Sequence, residues 1–125
     1  MKKKESVLRD KSYNFAIRIV KLSQYLKQEK KEFDMNKQIL KSGTSIGALI
    51  REAEYAQSDA DFISKFSISL KEANETAFWL SLLKDTDYME EKMYNSLFSD
   101  CEEIIRMLIS TIKTMKSKRL LTLSS

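Results

Sequence analysis

The stretch that decides the fold runs from residue 38 to residue 83 and reads QILKSGTSIGALIREAEYAQSDADFISKFSISLKEANETAFWLSLL. Apolar and small residues recur at helical spacing in its first half, at Ile39, Ser42, Ile46, Leu49 or Ile50, and Ala53. The second half repeats the pattern at Phe62, Phe66, Leu70 or Ser69, Ala73, Ala77, Leu80 and Leu83. Ser58 or Asp59 supplies a plausible N-cap between the halves. The stretch therefore predicts two amphipathic helices joined by a short polar break.

The sequence on either side of this stretch shows the same periodicity. The upstream stripe is Phe15, Ile19, Leu22 and Leu26, and the downstream stripe is Met93, Leu97, Cys101, Ile104, Leu108, Ile112 and Met115. The expected helices span about 10–28, 35–57, 59–84 and 88–117, with Asp10 or Ser12 capping the first and 118–125 forming a flexible basic tail. Short connections between four helices predict one all-α domain over 1–117, an antiparallel up-down-up-down four-helix bundle.

Composition supports long helices. The 125 residues include no proline and two glycines, Gly43 and Gly47, whereas a sheet protein needs frequent turn residues. Each glycine inside a helix costs up to ~1 kcal/mol relative to alanine, so the pair requires a reason. Close approach of a neighbouring helix backbone is the simplest reason, and a kink or break near Gly43 is the alternative.

Charge is distributed unevenly along the chain. Residues 1–51 contain 13 Lys or Arg and 5 Asp or Glu, residues 52–105 contain 4 and 13, and residues 106–125 contain 5 and 0. Three interpretations remain open: electrostatic docking between copies, a basic surface that binds nucleic acid, or scattered solvated charge. The candidate nucleic-acid residues are Arg9, Lys11, Arg18, Lys21, Lys37, Lys41 and Arg51.

The residue types argue against an enzyme. Histidine is absent, which removes the commonest general base and transition-metal ligand, and one cysteine cannot build an ordinary zinc site. No glycine-rich phosphate loop is present, so we predict no catalytic residue, metal or cofactor. Cys101 falls on an apolar stripe and is predicted to be a core residue rather than a nucleophile.

Three glutamates, Glu52, Glu72 and Glu75, are the remaining candidates for chemistry. Without histidine they do not match a di-iron site, so we expect interhelical or intersubunit ion pairs rather than catalysis. The neighbouring cations in the pattern are Lys41, Arg51 and Lys71.

Location and membrane association can also be predicted. A lone cysteine fits a reducing compartment, and no signal-peptide apolar run follows the basic start. The longest apolar runs are only a few residues, too short to span a bilayer. We therefore expect a cytoplasmic protein with no membrane segment.

Aromatic residues outside the core stripes suggest a buried surface between subunits. They include Tyr13, Tyr25, Tyr55, Phe78, Trp79 and Tyr94, and small monomers rarely expose so many. The predicted subunit interface consists of Glu52, Tyr55, Lys71, Glu72, Glu75, Phe78 and Trp79. Aromatic residues that simply wrap the helix edges are the alternative.

The deciding stretch also resembles a known family. The matching residues are Gln38, Ser42, Ser45-Ile46-Gly47-Ala48, Ile50, Glu52-Ala53, Ser58, Asp61-Phe62-Ile63, Lys65, Leu70-Lys71-Glu72-Ala73, Glu75-Thr76 and Trp79-Leu80. Together they resemble the four-helix bundle proteins encoded by intervening sequences in bacterial large-subunit ribosomal RNA genes. The resemblance implies a homopentameric ring. A related branch comprises the accessory proteins of diversity-generating retroelements, which bind nucleic acid and a partner reverse transcriptase.

Two functions follow as hypotheses. The first is a non-enzymatic oligomeric bundle that binds RNA or DNA through its basic surface as an accessory or scaffold. The alternative is a protein-interaction module, for example an accessory subunit that docks a retroelement reverse transcriptase.

Overall fold

The computed structural model describes residues 3–124 and is helical apart from three short connections. The helices are α1 (Lys3–Gln28), α2 (Asp34–Ala53), α3 (Asp59–Asp85) and α4 (Glu91–Ser124). Helix α1 packs against α2 and α4, and α3 packs against the same two helices, so the four form a closed square. With five-residue connections, this arrangement confirms the predicted all-α four-helix bundle.

Hydrogen bonds between side chains and neighbouring helices fix the antiparallel register. On the α2–α3 side, the Thr76 hydroxyl donates to Ser42 Oγ at 2.9 Å and the Ser69 hydroxyl donates to the Ile46 carbonyl at 2.9 Å. On the α3–α4 side, the Cys101 thiol donates to the Ala73 carbonyl at 3.3 Å. The small polar residues of α3 therefore belong to the core because their hydroxyls are paired there.

The core consists mainly of aliphatic side chains from all four helices. Its fully buried large members are Leu8, Phe15, Ile19, Leu26, Ile39, Ile46, Ile50, Phe66, Leu80, Leu83, Ile104 and Leu108. On α3 the buried residues are Phe66, Ser69, Ala73, Thr76, Leu80 and Leu83. Their alternating spacing of three and four is that of a coiled-coil seam. Ser69 rather than Leu70 occupies the stripe, and Thr76 joins it where the sequence pattern did not indicate a core residue.

Both glycines lie where α1 approaches α2. A Cβ at Gly43 would lie 2.8 Å from Cγ1 and Cγ2 of Ile19, and one at Gly47 would lie 3.3 Å from the Ser12 backbone. Helix α2 runs unbroken through both positions, so the break expected as an alternative does not occur. The glycines serve close helix packing, as predicted.

The first helix begins earlier than the sequence indicated. It starts at Lys3, seven residues before the expected position, because buried Glu5 and Leu8 extend the inward stripe by two turns. Asp10 and Ser12 therefore lie inside the helix, and neither caps it. The Ser12 hydroxyl donates instead to the Arg9 carbonyl.

The connections end the other helices at different residues from those predicted. Helix α2 ends at Ala53 rather than near residue 57, followed by tight turns in which Tyr55 N–H donates to the Glu52 carbonyl. Ser58 caps α3 by accepting from Asp61 N–H at 3.0 Å, as predicted. The α3 end is a Schellman turn with Asp87 at φ 67°, which delays α4 to Glu91 rather than residue 88.

The end of α4 also differs from the prediction. The helix continues to Ser124, seven residues past the expected end near 117, so residues 118–124 are helical. Residues 1 and 2 of the predicted domain and Ser125 of the predicted tail lie outside the described part of the chain. Within residues 3–124, no helix is both long and apolar enough to cross a bilayer.

Candidate nucleic-acid interface

Three of the predicted nucleic-acid residues are engaged within the chain. Lys11 Nζ forms an ion pair with Glu103, and the Arg18 guanidinium binds Asp100 and Ser96. Arg9 Nη1 lies 3.2 Å from Glu54 Oε1. These contacts form because α1, which is rich in lysine and arginine, lies against the acidic first half of α4 and against Glu54, which follows α2.

The titration behaviour of the α1–α4 pair agrees with this geometry. The hydrogen bond and charge of Lys11 lower the pKa of Glu103, and the hydrogen bond and charge of Glu103 raise the pKa of Lys11. Each partner favours the charged form of the other. Lys11 and Arg18 therefore link α1 to α4 through ion pairs.

Arg51 and Tyr13 form a different arrangement on the opposite side of α1. The Arg51 guanidinium carbon lies 5.6 Å from the centre of the Tyr13 ring, a cation–π contact. Both line a groove of about 270 Å³ between α1 and α2 whose floor is formed by Ala16, Gly47 and Ala48. The small floor residues leave the aromatic ring accessible. Sequence reasoning placed Tyr13 among the outer aromatic residues but did not pair it with Arg51.

The other predicted cations remain directed to solvent. Lys21, Lys37 and Lys41 are exposed, and none takes part in an ion pair among the described residues. Three further exposed lysines lie near the start of α2: Lys27 in the last turn of α1, and Lys30 and Lys31 in the connection 29–33. We define the basic face as Lys21, Lys27, Lys30, Lys31, Lys37 and Lys41.

A buried polar network holds the connection that carries part of this face. The Asn36 backbone N–H donates to Glu32 Oε1 at 2.9 Å, and the Asn36 side-chain amide donates to the Ser23 carbonyl at 3.2 Å. Lys31 adopts φ 53°, which turns the chain between the two helices. These bonds tie the α1 end to the α2 start, so Lys30 and Lys31 in the connection and Lys37 in the first turn of α2 are held in a fixed arrangement.

The predicted subunit-interface residues separate into two groups. Lys71, Glu72, Glu75, Phe78 and Trp79 lie on the outward side of α3. Phe78 is 58% exposed at the edge of a shallow depression of about 510 Å³, and its ring contacts the Trp79 ring edge to face at 5.0 Å. The second group consists of Glu52, in the last turn of α2, and Tyr55, in the connection that follows it.

The predicted ion pairs of the three glutamates are not formed within the described part of the chain. Burial, followed by the charge of Glu75, raises the pKa of Glu72, while Lys71 and Lys41 oppose the rise. The two lysines therefore interact with Glu72, although no direct ion pair of Glu52, Glu72 or Glu75 occurs among the described residues. Arg51 stacks on Tyr13 instead of facing these carboxylates.

Cys101 lies in the core, as its position on the apolar stripe predicted. Its side chain is fully buried, and burial raises the pKa of the thiol to about 12. A thiol held protonated in this way is a poor nucleophile. Among residues 3–124, no group of three or more His, Cys, Asp or Glu side chains is placed to hold a metal ion.

The fold is an antiparallel four-helix bundle, and its exposed charged and aromatic side chains lie on the outer faces of the helices. The sequence model of the 23S rRNA-intervening sequence protein family matches residues 4–110, so the chain belongs to that family. This confirms the family indicated by the residue 38–83 stretch.

A solved structure supports the same assignment. The chain is 59% identical to a crystallised protein of unknown function from the S23 ribosomal protein family of Bacteroides thetaiotaomicron VPI-5482. The match covers 88% of this chain and 98% of that chain, with a TM-score of 0.87. No functionally curated protein matches this chain.

Proposed function

We propose that this protein is a non-enzymatic, homo-oligomeric bundle that binds RNA or DNA through phosphate contacts of its basic face. The observation that carries the proposal is the separation of its cations into two sets. Arg9, Lys11 and Arg18 are neutralised by carboxylates of the same chain, whereas the lysines of the basic face are exposed without ion pairs among the described residues.

Lysine ammonium groups bind phosphates as point charges, and phosphate contacts carry no direct sequence information. Binding through this face is therefore weakly sequence-specific and strongly dependent on salt, since each phosphate contact releases counterions.

A charge-reversal pair tests the basic face. Lys37 and Lys41 lie one turn apart on α2, so Lys37→Glu/Lys41→Glu reverses two neighbouring charges. The matched control is Lys65→Glu/Lys92→Glu, which changes net charge equally on α3 and α4. Fluorescence anisotropy with a labelled structured RNA, measured from low to moderate salt, compares the variants.

The α2 pair should weaken binding at least tenfold at low salt. It should also make the slope of log K against log salt shallower by ~0.7 to 0.9 for each lost phosphate contact. The control should retain near-native affinity. If the unmodified protein does not bind at low salt, or if both variants lose affinity equally, the nucleic-acid proposal is wrong.

Self-association forms the second part of the proposal, and a pentameric ring is the arrangement that the family resemblance implies. Two outer surfaces of the bundle are complementary. The α3 surface combines exposed Phe78 with Glu72 and Glu75, and the α1–α2 groove combines Tyr13 with Arg51. Contacts between unlike surfaces of identical chains close into rings when the rotation allows.

Mass measurement in solution tests the ring. Phe78→Asp places a charge at a position that is already exposed, so the fold should persist while the assembly dissociates. Ile109→Asp, at an exposed apolar position on α4, is the matched control and should leave the mass unchanged. An unmodified chain that stays monomeric at high micromolar concentration contradicts the ring.

The exposed Phe78 surface also favours the second candidate, docking of a partner protein such as a retroelement reverse transcriptase. A protein partner predicts that Phe78→Asp abolishes binding and that Lys37→Glu/Lys41→Glu does not. Co-purification of each variant with a candidate partner separates this function from nucleic-acid binding.

A further inference from the structure

Helix α4 continues beyond the start of α1 at one end of the bundle. The α1–α4 register is fixed by three contacts: Arg18 with Ser96, Lys11 with Glu103, and Lys4 with Ser110. In this register α1 begins beside residue 111, whereas α4 continues to Ser124. About 13 residues, or roughly 20 Å at 1.5 Å per residue, therefore lie beyond the described start of α1. We define residues 112–124 as the α4 extension; the family match ends at residue 110.

The α4 extension is basic and partly apolar. It carries Lys113, Lys116, Lys118 and Arg119, no carboxylate, and no ion pair among the described residues. Leu120 is 65% exposed and Leu121 is 72% exposed. Exposed leucines on a projecting cationic helix are suited to a partner surface that is both apolar and acidic.

Such a surface exists at the same end of the bundle. A cleft of about 410 Å³ has an apolar lining from Ala53, Phe62 and Met115, with Glu54 and Asp59 among its polar lining. Tyr55, at 81% exposure, also lines it. We define these residues as the end cleft. The segment 52–61 contains four carboxylates and no cation; Glu54 pairs with Arg9 and Asp61 lies 4.0 Å from Lys65, so Glu52 and Asp59 carry the charge opposite to that of the α4 extension.

We propose that the α4 extension of one subunit docks in the end cleft of a second copy of this chain. The exposed end of the extension lies beyond its own cleft: Met115, near the start of the extension, lines the cleft, and the continuous helix carries Leu120 about 7.5 Å farther along its axis. In its own chain Leu120 instead lies beside Ala60 and Ile63.

Two bundles that meet end to end exchange their α4 extensions reciprocally, which is an isologous two-fold contact. The contact therefore yields a dimer of single bundles or a pair of stacked rings. It uses none of the basic face and does not depend on nucleic-acid binding. Truncation after residue 117 should halve the assembly mass in either case while leaving any ring intact.

Disulfide trapping between two differently tagged variants tests the contact directly. Leu120→Cys is mixed with Tyr55→Cys under mild oxidation, and only an intermolecular contact produces the mixed species. Native Cys101 stays in place because it is fully buried. The matched control replaces Tyr55→Cys with Gln24→Cys, an exposed position at the opposite end of α1.

The mixed Leu120→Cys and Tyr55→Cys disulfide should form at least tenfold faster than the control disulfide. Equal rates overturn the proposal. Charge exchange gives a second measurement: Lys118→Glu/Arg119→Glu should weaken the two-fold association at least tenfold, and adding Glu52→Lys/Asp59→Lys should restore it.

Two further outcomes assign the α4 extension to a different partner. If Lys118→Glu/Arg119→Glu leaves the mass unchanged but lowers affinity for RNA, the extension binds phosphate. If it lowers binding to vesicles that contain anionic lipid, the extension binds a membrane surface. Either result, with an unchanged mass, overturns docking to a second copy.

Discussion

Replacing Gly43 with alanine tests the packing that brings α1 and α2 together. The added Cβ would lie 2.8 Å from Cγ1 and from Cγ2 of Ile19, closer than real Cβ contacts come. Ile19 is fully buried, and a β-branched residue in a helix has one strongly preferred side-chain rotamer. Rotation of the Ile19 side chain therefore does not relieve the contact, and the two helices must separate.

Two opposing contributions set the size of the effect. Alanine is favoured over glycine in a helix by ~1 kcal/mol, and forcing an extra methyl group into a packed core destabilises by ~1–3 kcal/mol. Because both γ carbons are contacted, we expect the upper part of that range. The net loss in the free energy of unfolding should be ~1–2 kcal/mol, which lowers Tm by roughly 4–8 °C.

Thermal and urea unfolding at one fixed protein concentration measure this loss, since association shifts apparent stability. Ala48→Gly, at an exposed position on the same helix, calibrates the backbone contribution and should destabilise by ~1 kcal/mol. In an Ile19→Ala background both γ carbons are absent, so Gly43→Ala should become stabilising. The double-mutant cycle should give a coupling of at least ~1 kcal/mol. If Gly43→Ala stabilises both backgrounds equally, the close-packing explanation is refuted.

Three further predictions follow from local contacts. Because burial raises the pKa of Cys101 to about 12, a thiol reagent should modify it only as fast as the protein unfolds; rapid stoichiometric labelling of the folded protein at neutral pH would contradict this. Ser58→Ala removes the hydroxyl that accepts from Asp61 N–H and should lower the free energy of unfolding in urea by ~1 kcal/mol. Ser58→Asp should keep most of the native stability, because its carboxylate can accept the same hydrogen bond. Equal stability of all three proteins would exclude the cap. Lys11 lowers the pKa of Glu103, so the pair contributes stability above the ordinary pKa of 4.5 that is lost as pH falls through the lowered pKa. Glu103→Gln should therefore make the free energy of unfolding depend less steeply on pH in the acid range. An unchanged pH dependence would show that the pair does not act in solution.

The sequence alone determined the fold class and most of the core. Four segments with apolar residues every three or four positions admit few arrangements other than an antiparallel bundle when the connections are short. The stripe on α4, with Leu97, Cys101, Ile104 and Leu108, appears in the core as predicted. The two glycines of α2 also revealed close helix packing, because their cost inside a helix requires compensation elsewhere.

Helix ends were less predictable, since they depend on individual backbone conformations. The left-handed conformation of Asp87 delays α4, and a buried Glu5 side chain extends α1 toward its start. Neither is visible in hydrophobic periodicity. A charged residue such as Glu5 normally marks a solvated position, and only its neighbours in the folded chain reveal that it is covered.

Only the tertiary structure decided which charged residues remain available to a partner. From the sequence, Arg18 and Lys41 are equivalent cations on basic helices. In the fold, Arg18 faces Asp100 on α4, whereas Lys41 points outward from α2 without a direct ion pair among the described residues. Periodicity along one helix determines which side faces the core, but ion pairing depends on the helix that lies beside it, and residues 82 positions apart meet only in three dimensions.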